Sequence, residues 1–235
     1  MKAVGLTDYL ALATLTIVCT VSGTVQGQEL CAPFRNGAVE PTMVRAMLSA
    51  AEDGHLYRIV PSTSRVGFCA NSEITKISAE FHTFQGGLSL WPDPGEQEMA
   101  MVVIDVDSLD TGDAVTEKLL KSKLFFNVET YPEILFVSTG IQWTSDDMAE
   151  LKGKLTLHGV TRPVLFKVRL TSLARNSDGD IDKVLAKAGA VINRSDFGMD
   201  GLVQVVDDQV ELCLTVEAVR FDGSDENRNP DSVRR

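Results

Sequence analysis

The sequence predicts an all-β fold in which antiparallel strands close into a barrel or stack as a sandwich. Three observations predict it. From Tyr57 onward, apolar and polar residues alternate with a period of two through nine short runs. Those runs are separated by brief Gly-, Pro- and Asp-bearing stretches, too short for the crossovers that parallel strands need. Only two stretches carry a helical period, and both are short. At 235 residues the chain can hold one sizeable domain of this kind.

Taken in order, residues 1–27 have the layout of a secretory signal. Lys2 precedes the uncharged run YLALATLTIVCTV, and small and polar residues then lead to Val25, Gln26 and Gly27. A transmembrane helix needs about 20 apolar residues, more than this run supplies. The expectation is therefore a periplasmic or secreted protein with no integral membrane span once the signal is cleaved. Residues 28–55 form an N-terminal arm containing PTMVRAMLSAAEDG. There Pro41 opens a helix, Met43, Met47, Ala50 and Ala51 share one side, and Gly54 ends it. Such a stripe suits a helix packed on the body of the domain; the competing reading is a lid or partner-binding helix.

Residues 56–221 carry the strands: SRVGFCAN, KISAEF, GLSLW, MAMVVIDV, EILFVSTGIQW, ELKGKLTL, VLFKVRLTSL, VLAKAGAVIN and VELCLTVEAV. The helical interruption is TGDAVTEKLLKSKLFF, with Leu119, Leu120 and Leu124 as its expected inner face. Residues 222–235, DGSDENRNPDSVRR after Phe221, have little to bury and read as a disordered tail. The inward positions mix Phe68, Phe81, Phe84, Phe136 and Phe166 with Ala70, Ala79, Ala186, Ala188 and Gly189. That mixture suits either a filled core or an apolar tube, because an eight-stranded barrel is about wide enough for one small ligand.

Cleavage of the signal removes Cys19 and leaves Cys31, Cys69 and Cys213, so one disulfide and one spare thiol are expected in an oxidising compartment. Alternation turns Cys69 and Cys213 away from the apolar face, which makes them candidate cross-strand partners, with Cys31 competing for either. A net charge of -11 gives no footprint for nucleic acid.

Several stretches in sequence order then carry a resemblance: YRIVPSTSRVGF, EFHTFQGGLSL, VVIDVDSLDTGDAVTEKLLKSKLFFNVETYPEILFVS, LKGKLTLHGVTRPVLFKV and AVINRSDFGM. Together they resemble the YceI-like family of lipocalin-like, polyisoprenoid-binding proteins over about Tyr57 to Arg220. The resemblance implies an eight-stranded antiparallel lipocalin-like barrel with one or two short helices and a periplasmic or secreted location. It also implies an apolar tunnel for a long-chain amphiphile, such as a polyisoprenoid, an isoprenoid quinone or a fatty amide. It implies a carrier and not an enzyme. The chain departs from the family pattern at Asn71 and Ser72, where a histidine is common, and at Ala79, where glycine is common.

On this reading no cofactor is needed, and the lining would draw on Phe68, Ala70, Phe81, Phe84, Phe136, Trp143, Phe166 and Ala188. His158, Arg162 and Arg194 are the polar candidates for a head group. Each has a structural alternative: His158 and Arg162 can hold the turn in LTLHGVTRPV, and Arg194 can pair with Asp196 or Asp200. Only three histidines are present and no HExxH or GxSxG accompanies them. The acidic stretch from Asp105 to Asp113 lacks EF-hand spacing, and Ser108 or Thr111 capping the next helix explains it better. No metal site is expected. A homodimer is compatible with these features. The rival function is an envelope or stress interaction protein with a filled barrel, acting through its N-terminal helix.

Overall fold

A computed structural model describes residue 39 and residues 41–72, 76–91, 98–202 and 204–222. The expected signal at 1–27, Cys31 and the tail from residue 223 lie outside the described residues.

Eleven strand segments combine into an eight-stranded antiparallel barrel that closes on itself. The first strand is interrupted: β1 (Leu56–Ile59) and β2 (Arg65–Ser72) both lie along β11 (Val206–Arg220), with Tyr57 opposite Arg220 and Phe68 opposite Leu212. The second is bent into β3 (Lys76–Phe81) and β4 (Phe84–Ser89), and the third is split into β5 (Met99–Asp105) and β6 (Leu109–Asp110). Then follow β7 (Glu133–Trp143), β8 (Met148–Leu157), β9 (Val160–Arg175) and β10 (Ile181–Asn193), each paired with the next. Serine hydroxyls carry hydrogen bonds that the ladder drops at the two breaks. Ser64 Oγ accepts from the Glu217 N–H at 2.9 Å, and Ser108 Oγ accepts from the Thr83 N–H at 3.0 Å.

Helix α1 (Pro41–Glu52) buries Met47 and Ala50, while Met43 and Val44 pack with Val39 against Val103 and Leu135. Those two residues lie on the outside of β5 and β7, so most of the apolar stripe is already covered by the barrel, although Leu48 stays exposed. Helix α2 (Ala114–Lys121) is shorter than the sequence pattern suggests. Its cap is the Asp113 carboxylate, accepting from the Thr116 N–H at 2.8 Å, and not Ser108 or Thr111. Ser122 ends it, because the chain must turn there to send Phe125 and Phe126 inward beside Leu120. Leu119 and Leu124, expected inside, are exposed as a result.

LTLHGVTRPV is a two-residue hairpin between β8 and β9. His158 and Gly159 both take positive φ, 52° and 73°, the geometry that matches the twist of the flanking strands. Tyr131 packs against the same glycine so closely that a Cβ there would meet Tyr131 Cε1 at 2.5 Å. On the barrel exterior, Cys69 faces Glu211 and Cys213 faces Gly67, which sets the two thiols on a diagonal between neighbouring strands. Both are free, so the expected disulfide is not formed between them.

Candidate functional site

The inward faces of all eight strands surround an apolar cavity of about 540 Å³. Its middle is walled by Val66, Phe68, Val102, Phe136, Leu155, Phe166, Ala188 and Leu214. Alternation directs these side chains inward, and two features keep the interior open. The alanines at 70, 186 and 188 are small, and the Phe136 ring lies back over Gly153, where a Cβ would meet it at 2.4 Å. Phe136 in turn meets Phe166 edge-on with ring centres 5.2 Å apart.

The two ends of the cavity differ. At one, Leu120, Phe125, Phe126 and Met199 close the barrel, all buried. Arg194 sits among them, 3% exposed. Its Nε donates to Asp207 O at 3.0 Å, Nη2 to Val206 O at 2.9 Å, and Nη1 to the carbonyls of Met199 and Gly201. The guanidinium also lies 5.6 Å from the Phe125 ring centre. Four of its five N–H groups are therefore committed to the β10–β11 connection, and neither Asp196 nor Asp200 is its partner. Next to it Asp208 accepts from both the hydroxyl and the N–H of Ser195, which hold its carboxyl below the usual range.

At the opposite end the lining becomes partly exposed and polar: Leu90, Trp91, Glu98, Trp143, Ser145, Asp146 and Leu173. Trp143 Nε1 donates to Glu98 Oε2 at 3.0 Å, and His55 packs on the Trp91 ring at 4.3 Å. Burial pushes the Glu98 carboxyl above its ordinary value, and the hydrogen bond from Trp143 offsets part of that rise.

Of the residues expected at a binding site, Phe68, Ala70, Phe81, Phe136, Trp143, Phe166, Ala188 and Arg194 line the cavity. Phe84, His158 and Arg162 are not part of that lining. Phe84 is buried in the aromatic and aliphatic core at the start of β4. His158 Nδ1 lies 3.1 Å from Phe197 O, and its ring packs edge-on to Tyr131. Arg162 is exposed and its Nε donates to Asp196 O at 3.1 Å. Two residues of the open end, Trp91 and Glu98, were not anticipated. They flank the turn-rich stretch PDPGEQ, and a carboxylate placed after such a stretch gives no periodic signal of facing inward. Among the described residues no group of His, Cys, Asp or Glu is arranged to hold a metal ion.

A closed antiparallel β-barrel around a ligand-sized apolar chamber defines the class of protein. Residues 57–218 match the YceI-like domain, and the chain belongs to that family. A UPF0312 protein of Pseudomonas putida is 32% identical over 146 residues, covering 61% of this chain and 74% of the relative. One from Azotobacter vinelandii is 29% identical over 140 residues, 60% of this chain and 72% of the relative. Among solved structures, Burkholderia cenocepacia BcnA superposes with a TM-score of 0.61 at 24% identity, covering 68% of this chain and 99% of its own. A domain from Saccharophagus degradans, described as polyisoprenoid-binding and implicated in plant cell wall breakdown, gives 0.55 at 17% identity, covering 70% and 98%. These structural likenesses establish the fold.

Proposed function

We propose that this protein is a periplasmic or secreted carrier that sequesters a long-chain amphiphile, such as a polyisoprenoid, an isoprenoid quinone or a fatty amide, inside its barrel. The observation that carries the reading is the open apolar cavity of about 540 Å³, within the range of small-molecule sites. Phe68, Phe81, Phe136, Phe166 and Ala188 would meet the aliphatic tail, where each buried methylene contributes about 0.8 kcal/mol without special geometry. The polyisoprenoid-binding description of the Saccharophagus domain supports the same ligand class. Binding is what the lining offers: an apolar wall separates Arg194 at one end from Glu98 and Asp146 at the other. The test is mass spectrometry of an organic extract of the protein purified from its native compartment, together with titration of long-chain quinones and prenols. A copurifying long-chain lipid is expected. An empty barrel that binds none of these compounds would sink the reading.

A further inference from the structure

The asymmetry of the cavity bears on which part of a bound amphiphile lies where. Three charged residues line the chamber among those described: Glu98 and Asp146 at the open end, and Arg194 at the closed end. An anionic head group would seek the cation, yet Arg194 is a poor receptor. Four of its donors are spent on carbonyls that tie the β10–β11 connection together, and Phe125 lies 5.6 Å from its guanidinium carbon. A head group drawn down to it would also have to shed its water inside an apolar tube, a heavy cost for a charged group.

The open end offers the opposite chemistry. Glu98 is half-buried, and Trp143 fixes it through one carboxylate oxygen. Its other oxygen, Oε1, has no hydrogen-bond partner among the described residues, and a carboxylate can accept several hydrogen bonds. Trp91 and Trp143 supply aromatic surface at the same level, with the exposed Asp146 beyond them. Among the described residues the cations on neighbouring strand ends, Arg169, Arg175, Lys183 and Arg220, do not line the cavity. Arg175 donates to Gly179 O, Arg220 to Ile181 O, Arg169 to Met148 Sδ, and Lys183 pairs with Glu217.

We infer that the ligand enters tail first, and that the Glu98–Trp143 pair at the open end selects a head group that donates hydrogen bonds, uncharged or cationic, over an anionic one. This rests on the lipid-binding reading above and adds the orientation and the head-group class. Alcohols, primary amides and amines fit that class. Carboxylates and diphosphates would face Glu98 and Asp146 with no cation of the lining beside them.

The test uses amphiphiles with one common tail, oleyl alcohol, oleamide, oleylamine and oleate, each displacing a fluorescent apolar probe from the intact protein near neutral pH. The three donor head groups are expected to bind at least about tenfold tighter than oleate. In E98Q, with folding checked by its melting curve, the ratio of oleylamine to oleate affinity should fall by about fivefold, and E98K should invert it. Equal affinities for all four, tightest binding of oleate, or a ratio unmoved in E98Q overturns the head-group assignment while leaving the cavity a lipid site. Failure of the probe and all four compounds to bind removes the lipid-binding reading itself, and this inference with it.

Discussion

The two ends of the barrel solve different problems with the same kinds of residue. At the closed end a charged side chain is nearly inaccessible and its donors are spent on backbone carbonyls, so its charge holds structure together. At the open end a charged side chain of the lining is half-buried, held by one tryptophan through one oxygen, and left with a second oxygen that has no hydrogen-bond partner among the described residues. A charge in a cavity wall is therefore no sign of a binding group by itself; what matters is how much hydrogen-bonding capacity remains after the fold has taken its share.

Substitutions at the two ends should separate accordingly. Arg194→Met removes the donors to four carbonyls at the base of the barrel and should cost about 3–5 kcal/mol, read from urea unfolding. A loss below about 1 kcal/mol would show that the guanidinium is dispensable to the fold. Gly159→Ala, in the hairpin beside Tyr131, should cost about 2 kcal/mol, because φ is 73° and the new methyl meets the ring. At the open end, Trp143→Phe keeps an aromatic ring but loses the bond to Glu98. It should lower stability by only about 1 kcal/mol while weakening retention of donor-headed lipids.

The smallest effect concerns pH, and the two ends should respond in opposite senses. Glu98 has a raised pKa in the fold, so its favourable contribution is greatest below the unfolded value of about 4.3 and is lost as pH rises through the folded value. Glu98→Gln should thus raise the melting temperature by roughly 1 °C near pH 7, a difference that vanishes below about pH 4. At the closed end, Asp110, Asp113 and Asp208 are held low by hydrogen bonds from Gly112, Thr116 and Ser195 respectively. Their contributions are present above the ordinary aspartate value and fade as pH falls through the folded ones. Melting curves of the wild type and of Asp208→Asn from pH 7 to pH 3 would show whether acid weakens that end and whether the variant loses part of the response.

Much of the barrel was legible because alternation is a local signal. Phe68, Phe136 and Phe166 face inward as every second residue of their strands must, and the positive-φ pair at His158 and Gly159 is what a glycine between two alternating runs suggests. The length of α2 was not legible, since Leu119 and Leu124 fit a helical face until Phe125 and Phe126 claim the interior. Nor was the fate of the cations. Arg162 and Arg194 lie near turns where either could meet a ligand or a carbonyl, and only the path of the β10–β11 connection decides. Glu98 escaped notice because its orientation depends on Trp143, 45 positions away.

The seam where β11 meets the interrupted first strand has a kinetic consequence. From β7 to β11 every strand pairs with its successor, so that half of the sheet can form by growing hairpins one after another. The seam instead joins Tyr57 to Arg220, at opposite ends of the domain. Closing a loop of that length carries about 4 kcal/mol of chain entropy, so the seam should zip last. It should also be the first place the cylinder parts. In pulse-labelled amide exchange, protection of β8 and β9 is expected before that of β1 and β2. Under rising denaturant the wall is therefore expected to part along this one line first, with β7 to β11 still paired behind it.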